Sequence, residues 1–145
     1  METDITRHYS RGDLLARLKA ALRSDGVDPE HPTIGALAPY DQFHGRGMEA
    51  TLEIASLLPL GTGDHLLDIG SGIGGPARYF AQRFGCRVTG IDLTPEFCEV
   101  ARHLARALRL HDRVDFDVGS ALDMPYTDGS FDAAYLIGVL GEVPD

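Results

Sequence analysis

The sequence predicts an α/β protein, with a parallel β-sheet of the doubly wound type and helices packed against it. Two observations support this prediction. From residue 65 onward, short apolar segments typical of strands alternate with segments that carry apolar residues at helical spacing. A glycine-rich turn also stands where the first of these strands meets the following helix. The 145 residues are enough for one compact domain.

The N-terminal part of the chain is predicted to hold two helices and a loop. Residues Ser10–Ser24 carry leucines on one helical face, and Met48–Leu58 reads as a second helix that ends before Pro59. Between them, the segment 25–39 contains three prolines and two glycines, which predicts a loop. Residues 61–64 are predicted to form a turn before the first strand.

Strands and helices then alternate in a regular order. Pro76 and Pro95 suit the first turns of two helices, of which the first ends at Phe84 and the second has Thr94 as its N-cap. The fourth strand is nearly all apolar, as expected for a strand buried on both faces. The four predicted strands are His65–Ile69, Arg87–Ile91, Val114–Val118 and Phe131–Ile137.

Composition and charge exclude several classes of function. The net charge of −9, from 22 acidic and 13 basic residues, argues against nucleic acid as a partner. No apolar run approaches the roughly 20 residues of a membrane span, and residues 1–11 lack the apolar core of a secretory signal. Cys86 and Cys98 are expected to be free thiols of a cytoplasmic protein, and the scattered histidines predict no metal site.

The most informative stretch runs from Leu66 to Pro76 and reads LLDIGSGIGGP. Glycines at this turn let the backbone approach a ligand closely, and the helix behind it offers free N–H groups to a polar or anionic group. Asp92 closes the second strand 22 residues after Gly70, about the spacing expected of an acid that accepts hydrogen bonds from ribose hydroxyls. The pattern predicts a site for a nucleoside-containing cofactor.

Two other interpretations of this stretch stand beside that one. The first is a purely structural glycine turn with an acid after each strand. The second is a dinucleotide site, since Gly70, Gly72 and Gly75 satisfy the pattern G-x-G-x-x-G. Asp68 argues against a dinucleotide because a carboxylate at the end of the strand would repel a pyrophosphate. The same carboxylate would attract a cofactor that carries an ammonium and a sulfonium.

The segment Asp68–Arg78 resembles motif I of the class I S-adenosylmethionine-dependent methyltransferases. It is most similar to small-molecule enzymes of the quinone-biosynthesis and the sarcosine/dimethylglycine type. The resemblance extends over residues 38–145 and implies S-adenosyl-L-methionine as the cofactor. It also implies a Rossmann-like fold with strand order 3-2-1-4. The other segments that carry the resemblance are Tyr40–His44, Glu49–Thr51, Gly90–Thr94, Gly119–Tyr126 and Ser130–Asp132.

The resemblance implies roles for individual residues. Asp68 would face the amino group of the methionine part, Asp92 would accept from the ribose hydroxyls, and Leu93 would pack on the adenine. Gln42 and His44 either close over the cofactor or belong to a polar surface loop. The residues implied in cofactor binding are Gln42, His44, Asp68, Gly70, Ser71, Gly72, Gly74, Asp92, Leu93, Ser120, Ala121 and Leu122.

Two departures from the family pattern affect these roles. The loop after the third strand usually reads Gly-Asp-Ala in the family, and its acid accepts from the adenine amino group. Here Ser120 stands in that place, before Ala121, whose main chain would meet the adenine edge. After the fourth strand, Gly141 and Glu142 stand where the family often carries a pair of histidines. The sequence therefore indicates no catalytic residue.

The family sheet has seven strands, of which this sequence accounts for four, those of the cofactor-binding half. Residues 1–39 are accordingly assigned to an N-terminal helix and loop, and 40–145 to the cofactor-binding half of a methyltransferase domain. The fourth strand would be an open apolar edge, and such an edge seeks a partner. A fragment of a longer enzyme, a truncated gene product and a homodimer through this edge are the three explanations.

The expected function is methyl transfer from S-adenosylmethionine to a nitrogen, oxygen or carbon nucleophile of a small molecule. One alternative is a non-catalytic or truncated module that keeps the cofactor pocket. The other is a nicotinamide-dependent oxidoreductase, which Asp68 disfavours. No nucleic acid, membrane or metal is expected as a partner.

Overall fold

The computed structural model of the protein describes residues 13–42 and 46–137. No helix in these two stretches is long and apolar enough to cross a membrane. The elements, in chain order, are α1 (Leu14–Ser24), α2 (Ile34–Asp41), α3 (Met48–Leu57), β1 (His65–Ile69), α4 (Gly75–Phe84), β2 (Arg87–Asp92), α5 (Pro95–Ala107), β3 (Val114–Val118) and β4 (Ala133–Leu136).

The strands form one parallel sheet in the order β3-β2-β1-β4, which confirms the predicted fold class and strand order. In its register Asp68 of β1 lies opposite Gly90 of β2 on one side and Tyr135 of β4 on the other. Asp92 at the end of β2 lies opposite Val118 of β3. Because all four strands run the same way, their carboxyl ends, and the two acids, share one edge of the sheet.

The main hydrophobic core lies between one face of the sheet and the helices α4 and α5. Leu66, Val88 and Phe116 point from three strands into this core, where they pack with Phe80 of α4 and Ala101 of α5. All five side chains are at most 2% exposed, so this face of the sheet is fully covered. The arrangement follows from the period of two along each strand and the apolar stripe along each helix.

A second cluster fixes the N-terminal helices. Leu22 of α1 and Leu37 of α2 are fully buried against Ile73 of the glycine turn and Leu104 of α5. Helix α5 contributes to both clusters, with Ala101 in the first and Leu104 in the second. The N-terminal helices are therefore attached to the same two segments, the glycine turn and α5, that border the carboxyl edge of the sheet.

The prediction of a loop over residues 25–39 was wrong at its C-terminal end, where α2 begins at Ile34 and contains Pro39. The Thr33 side chain caps this helix by accepting a hydrogen bond from Ala36 N–H at 3.1 Å. Burial of Leu37 in the second cluster outweighs the low helix propensity of proline and glycine in so short a segment. The predicted boundary between the N-terminal segment 1–39 and the cofactor-binding half 40–145 falls within α2. This division of the chain stays a prediction.

The fourth strand is also shorter and less buried than predicted. It covers Ala133–Leu136, and only Tyr135 has a buried side chain, while Ala134 is exposed. Within the described residues β4 pairs with β1 alone, so its other hydrogen-bonding edge is uncovered. The exposure of Ala134 shows that the strand is not buried on both faces. The other predicted elements agree with the structure to about one residue, except for the start of the first helix. Helix α1 begins at Leu14 with Asp13 as a non-helical N-cap, so the prediction was wrong at Asp13, and the predicted start at Ser10 lies outside the described residues.

A buried ion pair joins α2 to α4. Arg78, the largest fully buried side chain, donates from Nη2 to Asp41 Oδ2 at 2.9 Å and from Nη1 to the Ile73 carbonyl. A Cβ at Gly75 would lie 2.3 Å from the Asp41 carbonyl oxygen, so the end of α2 is pressed against the start of α4. Burial raises the pKa of Asp41 and lowers the pKa of Arg78, and each charge offsets the desolvation of the other.

Replacement of Arg78 by Ala is expected to lower the free energy of unfolding by roughly 3–5 kcal/mol, because it leaves the Asp41 carboxylate buried and unpaired. Urea denaturation followed by circular dichroism measures this change. The exposed Arg83 on the same helix is the matched control, and Arg83→Ala should cost at most about 1 kcal/mol. Equal small losses for the two variants would contradict the structural role of the pair.

Candidate functional site

The glycine turn after β1 is held by the end of β2. The N–H groups of Gly70 and Ser71 both donate to the Ile91 carbonyl, at 2.8 and 3.1 Å. Gly74 has φ +84°, and a Cβ there would lie 2.5 Å from Phe116 Cζ, so only glycine fits at this position. The turn therefore has a fixed shape, anchored on the strand that carries the second acid.

Asp92 is the point at which three segments meet. Its Oδ2 accepts from Gly72 N–H of the turn at 2.8 Å, and its Oδ1 accepts from Thr94 N–H before α5 at 2.9 Å. The Asp92 carbonyl accepts from Gly119 N–H, which begins the loop after β3, at 2.9 Å. Each carboxylate oxygen has a second lone pair, so the half-buried side chain can still accept two more hydrogen bonds.

Exposed apolar side chains flank Asp92. Leu93, which follows Asp92, and Leu122, in the loop after β3, are each 65% exposed. Val118 on β3, which lies opposite Asp92, is 48% exposed. The loop is shaped locally by the Ser120 hydroxyl, which accepts from Leu122 N–H at 3.1 Å. A carboxylate acceptor followed by an exposed leucine suits a ligand that combines a flat apolar ring with vicinal hydroxyls.

Asp68 is almost completely buried, at 3% exposure, beside the glycine turn. Its Oδ2 accepts from the Tyr135 hydroxyl at 2.8 Å. Burial raises the pKa of Asp68 to about 7, which the Tyr135 hydrogen bond opposes and the nearby charge of Asp92 reinforces. A cation bound here would lower that pKa again, so the position favours a positively charged group.

Gln42 lies at the end of α2, next to the buried ion pair. It is 8% exposed, and its Oε1 accepts from the Thr51 hydroxyl of α3 at 2.7 Å. Gln42 is therefore not part of a polar surface loop, and its closure over a ligand stays a prediction. His44 and the segment that contains Gly141 and Glu142 lie outside the described residues. Within 13–42 and 46–137 no cluster of His, Cys, Asp or Glu could hold a metal ion.

A family model described as a methyltransferase domain matches residues 66–145, more than half of the chain and the whole of the described site apart from Gln42. This chain belongs to the class I S-adenosylmethionine-dependent methyltransferases. The four-stranded parallel sheet with order 3-2-1-4 is that of the methyltransferase fold, and the cofactor of the family is S-adenosylmethionine.

Similar methyltransferases come from bacteria and plants. Methyltransferase GfsG of Streptomyces halstedii is 36% identical over 138 residues, which cover 92% of this chain and 49% of that protein. Ajmaline N-methyltransferase of Rauvolfia serpentina is 42% identical over 81 residues, 56% of this chain and 28% of that protein. Geranyl diphosphate C-methyltransferase of Streptomyces coelicolor A3(2), solved with Mg2+, geranyl diphosphate and S-adenosyl-L-homocysteine, matches with a TM-score of 0.59 at 31% identity. That match covers 61% of this chain and 34% of the other. In all three comparisons this chain spans about half, or less, of the length of the similar protein.

The structure brings most of the predicted site residues of this methyltransferase to one edge of the sheet. Gly70, Gly72 and Gly74 adopt positive φ angles, and Leu93 after Asp92 and Leu122 in the loop after β3 are both exposed. The positions of these residues agree with the roles implied from the family, and the roles themselves stay predictions. The other predicted residues at this edge are Asp68, Ser71, Ser120 and Ala121.

Three neighbours of the site were not predicted from the sequence. Tyr135 holds Asp68, and the ion pair of Arg78 and Asp41 fixes α2 beside the turn. The side chain of the predicted site residue Ser71 is 5% exposed and packs against Gly90. Two sequence signals could have pointed to Tyr135 and Arg78. Tyr135 is a single tyrosine in an otherwise apolar strand, and Arg78 is an arginine inside a helix that faces the sheet.

Replacement of Asp68 by Asn tests the raised pKa of Asp68. An acid whose pKa rises from 3.8 to about 7 on folding keeps a proton that the unfolded chain releases, so its contribution to stability falls as the pH rises from about 4 to 7. The amide does not titrate. The unfolding free energy of Asp68→Asn, measured relative to the wild type, should therefore be a few kcal/mol higher at pH 8 than at pH 5.

Urea denaturation at both pH values measures this difference, with the exposed Asp112→Asn as the matched control. A gap between Asp68→Asn and the wild type that stays constant from pH 5 to pH 8 would contradict the raised pKa of Asp68.

Proposed function

We propose that this chain binds S-adenosylmethionine at the carboxyl edge of its sheet and serves methyl transfer to a small molecule. The observation that carries the proposal is the Asp92 carboxylate, which the backbone N–H groups of Gly72 and Thr94 hold in place directly before the exposed Leu93. Asp92 would accept from the ribose hydroxyls, and Leu93 and Leu122 would cover the adenine. The residues Asp68, Gly70, Gly72 and Gly74 would line the methionine part.

The remaining residues of the proposed site take supporting positions. Ser120 shapes the loop from which the main chain of Ala121 would meet the adenine edge, in place of the acid that is usual in the family. Ser71 would act through its main-chain position in the turn rather than through its buried side chain. Gln42 accepts from Thr51 and follows Asp41, which lies against Gly75 at the start of α4, and it would close over the methionine part together with His44.

Bound S-adenosylmethionine supplies an electrophilic methyl group on a sulfonium centre. The contribution of this chain would be to hold the cofactor, orient its sulfonium and exclude water from it, because positioning and desolvation account for much of the rate in such displacements. No side chain of the described residues is proposed as a general base. Two of the similar proteins are named for methyl transfer to ajmaline and to geranyl diphosphate, which supports a small-molecule acceptor for this chain.

A cofactor-binding unit without transfer activity of its own is the second candidate. It is favoured by the share of the similar proteins that this chain matches, which lies between 28% and 49% of their lengths for the three described above. Binding of cofactor without methyl transfer to a panel of amine, phenol and isoprenoid acceptors would favour it over the enzyme.

The uncovered edge of β4 supports a proposal about assembly. We propose that this edge pairs with a second copy of the chain, because unpaired N–H and C=O groups along a strand favour pairing. Sedimentation equilibrium of the 145-residue chain should then give twice the monomer mass of 15.7 kDa, and Ala134→Pro, which removes an N–H from β4, should shift it to monomer. A monomer at every concentration would contradict the pairing.

A cytoplasmic location is proposed as well. Its support is the pair of buried free thiols, Cys86 and Cys98, which suit a reducing compartment. Cell fractionation with an antibody against the chain tests it, and recovery outside the cytoplasmic fraction would contradict it.

Calorimetric titration with S-adenosyl-L-homocysteine, the product form of the cofactor, tests the proposed site. We expect micromolar binding of this ligand and none of NAD, since Asp68 would repel a pyrophosphate. Asp92→Ala should weaken binding about tenfold to a hundredfold, as expected for lost hydrogen bonds to a charged acceptor. Circular dichroism confirms that the variant is folded.

The exposed Asp112 serves as the matched control, and Asp112→Ala should bind like the wild type. A folded wild-type chain that binds neither ligand would refute the proposed site. Unchanged affinity in Asp92→Ala would refute the assignment of Asp92 while leaving the site itself standing.

A further inference from the structure

The hydrogen bond between Tyr135 and Asp68 links the described edge strand to the predicted cofactor site. The two residues lie opposite each other on β4 and β1, at 6% and 3% exposure, and the tyrosine hydroxyl donates to Asp68 Oδ2 at 2.8 Å. Two polar groups are rarely buried together in a sheet core without a reason in folding or binding. The contact therefore calls for a functional explanation.

Packing leaves Tyr135 little freedom. Its ring lies 4.8 Å from the ring of Phe80, between centroids, inside the main hydrophobic core. Phe80 belongs to α4, the helix that follows the glycine turn. The hydroxyl is thus directed at Asp68 by side chains of the sheet and of α4, and it fixes the orientation of the Asp68 carboxylate.

The Asp68 carboxylate is only partly satisfied by this contact. The described residues 13–42 and 46–137 provide one hydrogen bond to it, the one from Tyr135 to Oδ2, and Oδ1 is not among their fully enclosed side-chain atoms that lack a partner. An ionised carboxylate has about four acceptor sites, so Oδ1 is open to a further donor. A donor from a ligand, above all a charged ammonium, would fill them.

We infer that Tyr135 is a positioning residue that orients Asp68 to receive the amino group of the methionine part of the cofactor. This inference rests on the proposed cofactor site and adds a residue that the family resemblance did not indicate. Tyr135 would select for ligands that carry the amino-acid part, because its effect reaches the ligand only through Asp68.

The physical basis is the balance between the neutral and the ionised form of Asp68. Burial and the charge of Asp92 favour the neutral acid, and the tyrosine hydroxyl is the group that opposes them by donating to the ionised form. A neutral acid would not attract an ammonium. Loss of the hydroxyl should thus weaken binding of the charged amino group and leave the adenosine part unaffected.

Tyr135→Phe tests this selectivity with two ligands. S-adenosyl-L-homocysteine carries the amino-acid part, and 5′-methylthioadenosine shares its adenosine and thioether but lacks that part. By calorimetry, Tyr135→Phe should bind the first about tenfold or more weakly than the wild type does, the loss expected for a hydrogen bond to a charged group. Its affinity for the second should stay within about twofold.

Tyr126→Phe is the matched control. Tyr126 also donates its hydroxyl to an aspartate, Asp117 on β3, at 2.7 Å. It has no contact with Asp68, so any change of affinity in Tyr126→Phe should be the same for both ligands. A purely structural role of Tyr135 would give that same equal pattern and would overturn the inference, as would unchanged binding of both ligands.

A double variant covers the case in which Tyr135→Phe does not fold. Asp68→Asn with Tyr135→Phe leaves no carboxylate at position 68 and should fold, because both partners of the bond are replaced. It should keep 5′-methylthioadenosine binding and lose most binding of S-adenosyl-L-homocysteine. Loss of both ligands by the folded double variant would overturn the inference, whereas a wild-type chain that binds neither would refute the proposed site itself.

Discussion

Two backbone N–H groups, those of Gly72 and Thr94, converge on the carboxylate of Asp92, and the organisation of the whole edge depends on this convergence. It ties the turn after β1 to the start of α5 through the last residue of β2. The Asp92 carbonyl adds the loop after β3 by accepting from Gly119. Segments that are far apart in the chain thus share one residue, and a ligand bound at Asp92 would touch all of them.

The same edge carries groups that are unfavourable in the protein alone. Asp68 is buried with one hydrogen bond, and Leu93 and Leu122 are largely exposed. Perturbed acids and exposed apolar side chains gathered in one place are typical of binding sites, where stability is lost in return for ligand affinity. The buried pair of Arg78 and Asp41 lies just behind this edge and keeps the turn and α2 in place. A cofactor can be held in one orientation only if the residues that bind it are themselves fixed, and the Arg78–Asp41 pair fixes the segments beside Asp68.

Much of this organisation could be predicted from the sequence because local signals and the fold agree. The strand at His65–Ile69, the glycine turn and Asp92 each carry their own residue pattern, and the parallel order follows from the alternation of strands and helices. Helix α2 could not be predicted, since Pro39 and Gly35 oppose it locally and the burial of Leu37 decides the outcome. Tyr135 and Arg78 were missed for a related reason, because their partners are distant in the chain. The register of β1 and β4 brings Tyr135 to Asp68, and the packing of α2 on α4 brings Arg78 to Asp41.

A crystal structure of the 145-residue chain with S-adenosyl-L-homocysteine would show whether Asp92 holds the cofactor. We expect the ribose hydroxyls within about 3.2 Å of the Asp92 carboxylate and the adenine against Leu93 and the main chain of Ala121. We also expect the amino group on the side of Asp68. A ligand seated away from this edge, or with its ribose turned away from Asp92, would contradict the proposed role of Asp92.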